Sequence, residues 1–423
     1  MRRLLWFSHF VPYPPSGGVL QRGFGLITGL ARHFEIHLLA LNQPRLVRQT
    51  AGDGPEVLNS LVKQLEPYCA SITLAGIPAE TQRRGQARAA ARALLQGRSY
   101  TETWLQGRSI ETQWSTVLNE VRPDLAHFDT ISLAPYARAN TARVATSLGH
   151  HNIESQMMRR RATKEPNPLK RRLLSLEAAR ILRLERAAAG LFDLHVVCSS
   201  VDARRLRRLT GAQQVHVAEN GVLGPEVEEA QLADTAVFGS SAGRLLFVGR
   251  MSAYTNRDAA EYLAREIWPE IARVYPEARL DVAGSGPPAA VTELAARDPR
   301  VKSWGFVPDL SVVLVPGSIF VCPVRDGGGT KLKILDAMNR GLPIVAHPIA
   351  LEGIKVVKDQ HVLVARTPGE FAAETLKLLR SPQLRMDLAT AAFHLVREKY
   401  AFAEISRTLA DRYTEVIERH ARA

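Results

Sequence analysis

Residues 320–353 read FVCPVRDGGGTKLKILDAMNRGLPIVAHPIALEG. Ile319, Phe320 and Val321 make an apolar run of the length expected for a buried strand, and Gly327, Gly328 and Gly329 end it. Thr330 is of the type that caps helices, and Leu332, Leu335 and Met338 recur at helical spacing until Gly341 and Pro343 stop them. Lys331 and Lys333 fall in the first helical turn, at the positive end of the helix dipole, where a cation is disfavoured unless an anion is bound. Glycines that bare backbone N–H groups, a helix N-terminus and two lysines together describe an anion site. The competing reading of the same residues is a glycine-rich turn followed by a helix with solvated lysines.

Upstream, Leu245–Val248 is a strand closed by Gly249 and Arg250, and the planar fork of an arginine suits phosphate oxygens. A helix over 258–273 follows, then a strand over 279–283 ending in a tight Gly284-Ser285-Gly286-Pro287 turn. Downstream, Ile344–Ala346 is a strand, and helices are expected at 369–380, 383–399 and 403–420. At the other end of the chain, Leu4–Phe7 reads as a strand, HFVPYPPSGG as a loop and Leu20–Ala31 as an apolar helix. A strand over 36–40 completes a βαβ unit, with the loop at the carboxyl edge where such sheets bind ligands. Residues 122–139 contain a short strand ending in His127 and Asp129, and His150, His151, Asn152 and Glu154 end another. The polar, aperiodic stretch 224–243 is the expected linker.

A chain of 423 residues suits two domains. Its three cysteines, Cys69, Cys198 and Cys322, are far apart, which excludes a disulfide framework and gives no metal-site spacing. No apolar run approaches the roughly 20 residues of a membrane-spanning helix, and a cytoplasmic location is expected. Residues 1–223 carry 30 Lys and Arg against 17 Asp and Glu, and residues 224–423 carry 25 against 25. The whole net charge of +13 therefore lies in the first half. A one-sided basic domain suggests an anionic partner. No nucleic-acid-binding motif accompanies the arginines, so an anionic membrane surface is preferred to nucleic acid. Two blocks concentrate the charge. In 83–98, Arg84, Arg88 and Arg92 share one helical face, which is either solvated or membrane-facing. In 157–172, MMRRRATKEPNPLKRR is the better candidate for lipid headgroups or a phosphorylated acceptor.

The pattern GGGTKLKILDAM-x-x-G-x-PIVA resembles the nucleotide-sugar site of glycosyltransferases of GT-B fold, family 4 (glycosyl transferases group 1). The resemblance implies an α/β chain of two Rossmann-like domains facing across a cleft. The N-terminal acceptor-side domain would be 1–223, the nucleotide-sugar-binding domain 224–400, and 401–423 a final helix returning to the first domain. In that pattern Asp336 holds the donor ribose where Glu is usual, and Gly328 replaces the first residue of the usual Glu-x7-Glu pair. Arg250, Lys331 and Lys333 would meet the diphosphate together with the backbone of Gly328, Gly329 and Thr330. Asn256 stands where a partner lysine is usual, so that Arg257, Lys331 or Lys333 would supply the missing charge. The segment containing Phe306 and Val307 would contact the base. Gly17 and Gly18 match the family's first-domain double-glycine loop, which approaches the donor diphosphate, and Asp129, or His127 before it, matches the polar residue delivered to the reacting sugar.

The reaction implied is retaining, metal-independent transfer of a hexose from a nucleotide diphosphate sugar, with no cofactor. The acceptor would be a hydroxyl on a glycan, a lipid-linked precursor or a small molecule, in bacterial envelope, exopolysaccharide or glycolipid synthesis at the inner face of the cytoplasmic membrane. Two readings stay open beside it: a nucleotide-sugar 2-epimerase and a non-catalytic sugar-nucleotide-binding protein. An NAD-dependent oxidoreductase fits less well, because HFVPYPPSGG and not G-x-G-x-x-G follows the first strand.

Overall fold

In the computed structural model of the chain, all residues are described except 16, 53, 83, 139–143, 225–226, 233, 235–237, 240–242, 308, 328 and 423. Contacts divide it into two compact units, Met1–Asn220 with Phe402–Ala423, and Gly221–Ala401.

The first unit is built on β1 (Arg3–Ser8), β2 (Glu35–Asn42), β3 (Ser71–Gly76), β4 (Leu125–Phe128), β5 (Ala145–His150), β6 (Leu194–Val197) and β7 (Val215–Val217). They form one sheet in the order β3-β2-β1-β4-β5-β6-β7, and every pairing is parallel. The second unit has β8 (Arg244–Val248), β9 (Arg279–Ala283), β10 (Val301–Gly305), β11 (Ile319–Cys322), β12 (Ile344–Ala346) and β13 (Leu363–Val364). Their order is β10-β9-β8-β11-β12-β13, again wholly parallel. Parallel strands are covered on both faces, which is why they read as continuous apolar runs and not as alternation. Leu4–Phe7 and Leu245–Phe247 are all fully buried.

In each sheet the order reverses between the first strand and the fourth: between β1 and β4, and between β8 and β11. Open α/β sheets bind ligands outside the carboxyl ends of the strands at such a switch point. The loops after these four strands are therefore where function is expected.

Two sequence expectations change. Thr330 does not cap the helix that follows it. That helix is Leu332–Asn339, Lys331 occupies the cap position without a side-chain cap bond, and the Thr330 hydroxyl turns inward. Of the expected linker 224–243, residues 225–226, 233, 235–237 and 240–242 lie outside the described residues, and three of the others are buried. Val227, Leu232 and Phe238 bury themselves against Ala389 and Phe393 of the helix Pro382–Lys399. The Phe238 carbonyl accepts from the buried Arg385, which also donates to the carbonyls of Leu378 at 2.8 Å and Leu379 at 3.3 Å. Three apolar side chains spaced among polar ones show no helical or strand period, although each of them is buried.

The last helix, Phe402–Arg422, belongs to the first unit. It packs on the helix Gly18–Leu30 with almost no gap. A Cβ at Gly25 would lie 2.1 Å from the Phe402 ring, and one at Gly29 2.2 Å from Ser406 Oγ. Overpacking of this kind costs about 2 kcal/mol. Gly25→Ala is therefore expected to lower Tm by roughly 4–8 °C in a thermal melt. An unchanged melt would show that the two helices are not seated as described.

Candidate functional site

In the second unit, the loops after β8 and β11 bring a lysine and an asparagine together. Lys333 Nζ donates to the Val248 carbonyl at 2.8 Å and to Asn256 Oδ1 at 2.6 Å, and it lies 4.5 Å from the centre of the Phe247 ring. Asn256 Nδ2 in turn donates to the Arg250 carbonyl at 2.9 Å. Asn256 thus does not simply lack a charge. It ties the Arg250 turn to Lys333.

Gly249 makes this arrangement possible, because a Cβ there would stand 2.7 Å from Lys333 Nζ and 2.8 Å from Asn256 Cγ. Gly284 after β9 has φ +144°, and a Cβ there would lie 1.8 Å from the Gly249 carbonyl oxygen. The GSGP turn is thus a close backbone approach, as its sequence suggests.

Burial pushes the Lys333 ammonium down to about 8, with Lys331 lowering it further and Cys322 and Asp336 pulling the other way. Both of its hydrogen-bond partners are neutral oxygens. A half-buried cation without a hydrogen-bonded carboxylate among the described residues is partly desolvated and favours the arrival of an anion. The surroundings fit that need. Lys331 Nζ reaches the Gly329 carbonyl at 2.9 Å. The Thr330 hydroxyl is buried with no partner among the described residues. Arg250 and Arg257 are exposed, Arg257 with Nε on the Met251 carbonyl at 3.2 Å. Asp336 is half-buried one helical turn beyond Lys333. Phe306, after β10, is 63% exposed with Val307 half-buried beside it. Gly328 lies outside the described residues. Asp326, which with Asp336 is one of the two carboxylates of 326–336 open to a 2-epimerase, accepts the Tyr254 hydroxyl.

In the first unit, the loops after β1, β4 and β5 meet at Asp129. Its Oδ1 accepts from His151 Nε2 at 3.1 Å; Oδ2 lies 3.3 Å from His9 Nδ1 and accepts from Ser8 Oγ at 3.2 Å. Burial opposes ionisation of Asp129, but His151 and His9 outweigh it and hold the carboxyl well below the usual range. The donor atoms of His9, Asp129 and His151 all lie within 4.8 Å of one another. Close by, burial pushes Glu154 up to about 7, His151 opposing and Glu185 adding to the rise.

His127 is a different case. Its ring is 4.0 Å from that of Trp6, and Nδ1 meets the Tyr413 hydroxyl at 2.9 Å and Ser147 Oγ at 3.2 Å. Burial holds its pKa down near 3, and only 2% of the residue is exposed. The ring is a packing element of the core and offers a substrate no access. The strand ends at Phe128, so Asp129 is the residue that reaches the loop. Sequence reasoning missed His9, whose only signal is its place directly after the first strand. His150, by contrast, turns inward to His195 Nδ1 at 3.1 Å.

Gly17 and Gly18 have φ +79° and +53° and open space where a Cβ would stand, with Gly17 at the N-cap of the helix Gly18–Leu30. Arg22 on that helix is buried and donates to the carbonyls of Ala218 at 2.8 Å and Glu219 at 3.0 Å.

Residues 242–381 match the family described as glycosyl transferases group 1. Among curated proteins, the chain is 24% identical over 163 residues to an uncharacterized 44.6 kDa protein in the cps region of Klebsiella pneumoniae, an alignment covering 37% of this chain and 42% of that relative. Among solved structures, sucrose-phosphate synthase from Thermosynechococcus elongatus superposes with a TM-score of 0.68 at 15% identity, covering 99% of this chain and 100% of that one. HepE from Anabaena, solved with UDP and glucose, gives 0.63 at 14%, covering 98% and 100%. TarM gives 0.64 at 9%, covering 99% of both chains. The chain thus has the GT-B fold, and residues 242–381 of its second unit resemble the glycosyl transferases group 1 family.

Proposed function

We propose that the protein transfers a hexose from a nucleotide diphosphate sugar to a hydroxyl acceptor, with retention at the anomeric carbon, in assembly of a bacterial surface polysaccharide. The observation that carries this is the half-buried Lys333 ammonium, whose hydrogen-bond partners among the described residues are neutral oxygens, at the switch point of the second sheet. A diphosphate supplies the missing anion. In the proposed step the bond from the anomeric carbon to the diphosphate oxygen breaks as the acceptor oxygen bonds to the same face. The acceptor proton passes to the departing diphosphate. Lys333, Lys331 and Arg250 stabilise the charge that develops there, the backbone around Gly329 and Thr330 adds N–H donors, and Asp336 holds the ribose. Asp129, with His9 and His151, is assigned to the hydroxyls of the transferred sugar. HepE, of like fold, was solved with UDP and glucose, and a relative is from a cps region; both support the donor class and the polysaccharide role.

The test is donor turnover across UDP-, GDP- and dTDP-sugars with an extract of surface glycan precursors as acceptor. Turnover of one donor with the α-configuration kept is the expected result. Tight nucleotide binding without turnover would favour a sugar-nucleotide-binding protein, a reading that Gly328 in place of an acidic residue also supports.

Because three cationic side chains already serve the diphosphate, transfer is expected to proceed without a metal ion or other cofactor. EDTA should leave the rate unchanged. Loss of activity restored by a divalent cation would reassign His9, Asp129 and His151 as a metal centre.

A further inference from the structure

The basic block at 157–172 is a helical hairpin, Glu154–Lys164 and Pro168–Ala189. Its second helix buries no residue before Ala178, and of its first ten residues all are exposed except the half-buried Leu174 and Glu177. They are nevertheless firmly started. Asn167 caps the helix by accepting from the backbone N–H groups of Leu169 at 3.0 Å and Lys170 at 3.1 Å, and Arg171 Nε donates to the Glu165 carbonyl at 3.0 Å.

On this projecting segment Leu169, Leu173 and Leu176 are 68%, 54% and 42% exposed. Spacings of four and three put them on one helical face. Three bulky apolar side chains along an ordered, uncovered face are unusual on a soluble surface. Around them, residues 157–176 contain seven Lys and Arg and one acidic residue, Glu165. By contrast, the other basic helix, Gly85–Leu95, buries Ala89 and Ala93 and has its exposed leucines, Leu94 and Leu95, only at its end.

We propose that the tip of this hairpin docks on an anionic lipid surface, with Leu169, Leu173 and Leu176 entering the headgroup layer and the surrounding arginines and lysines meeting lipid phosphates. Charge selects the occupant. A second copy of the same face would bring two strongly positive surfaces together, whereas an anionic bilayer complements the charge and accepts the leucines. A nucleic acid would complement the charge but has no use for the apolar row. No helix of the described residues is long and apolar enough to cross a membrane, and the proposal is of contact with the surface alone. It stands apart from the proposed sugar transfer, since vesicle binding is read without a donor and either can fail alone.

The experiment is sedimentation of the full chain with phosphatidylcholine vesicles, with and without phosphatidylglycerol. Two variants are compared, the triple Leu169→Ser with Leu173→Ser and Leu176→Ser, and the double Lys170→Glu with Arg172→Glu, which leaves the Arg171 bond in place. Wild type is expected to sediment with the anionic vesicles only. Each variant should lose at least about tenfold in affinity, with an unchanged melt because the substituted side chains are exposed. Wild type that stays in solution with anionic vesicles would overturn the proposal. So would a serine variant that binds as wild type does, since adsorption would then be by charge alone, as to any polyanion including nucleic acid.

Discussion

Lys333→Met is expected to lower kcat/KM for sugar transfer by about 10²–10³-fold, the loss typical of removing one preorganised group aimed at a developing negative charge. Folding should be largely spared. Methionine is close to lysine in length and is apolar, and it replaces a half-buried cation whose hydrogen-bond partners, Val248 O and Asn256 Oδ1, are both neutral. The lost hydrogen bonds and the relieved desolvation oppose each other, so Tm should stay within about 4 °C of wild type, the equivalent of about 1 kcal/mol. Activity and stability therefore separate at this residue. An active variant would remove Lys333 from the donor site, and one that melts far below wild type would make its role structural.

The pH dependence follows with a definite sign. With its pKa at about 8, free Lys333 is charged below that pH and neutral above it. Affinity for the diphosphate should therefore fall as pH rises through about 8, and the methionine variant should lack this inflection. Stability moves the opposite way. Between about 8 and the ordinary lysine value of 10.5, the unfolded chain binds more protons than the folded one, so Lys333 makes the fold gain stability as pH rises. Gly249→Ala offers a check that leaves Lys333 in the chain. Its methyl would fall 2.7 Å from Nζ, and the variant should lose donor affinity through displacement of the lysine.

What the sequence displays and what it hides divide along physical lines. Leu4–Phe7, Leu245–Val248 and Ile319–Val321 are legible as strands because a parallel sheet buries both faces and leaves unbroken apolar runs. Lys331 and Lys333 are legible because cations at a helix start oppose the dipole. Of the three residues offered for the charge absent at Asn256, the sequence cannot single out Lys333, because it is 77 residues away and the bond depends on β8 lying beside β11. His9 is hidden for the same reason. Nothing local in a proline-rich loop links it to Asp129, 120 residues on, until β1 and β4 are known to be neighbours. Thr330 has the chemistry of a cap but not the place, since the chain enters the helix one residue later with Lys331 extended at the cap position.

Asp129→Asn should reduce kcat by about 10²-fold or more, the scale on which loss of a group that orients or transfers protons is felt, while nucleotide affinity stays as in wild type. The carboxylate of Asp129 is contacted by His9, His151 and Ser8. The isosteric amide keeps one acceptor oxygen and presents an N–H₂ group to the other side. One imidazole must then change tautomer or turn away, and its other nitrogen no longer faces the site as before. Nucleotide binding is the internal control, because the residues assigned to it, Lys333, Arg250 and Asp336, all belong to the second unit. A second signature comes from acid. Asp129 is held ionised well below the usual carboxyl range, so the folded chain binds fewer protons there than the unfolded one. Its contribution to stability is complete above the ordinary aspartate value of about 4 and drains away as pH falls below it. The asparagine variant should show a flatter loss of Tm in that window. His127→Asn gives the contrasting outcome, because that ring packs on Trp6 and Tyr413: a lower Tm at all pH values, with the kcat of the folded fraction retained. If His127→Asn abolished turnover in a fully folded protein while Asp129→Asn did not, the assignment of the sugar-facing group to Asp129 would be reversed.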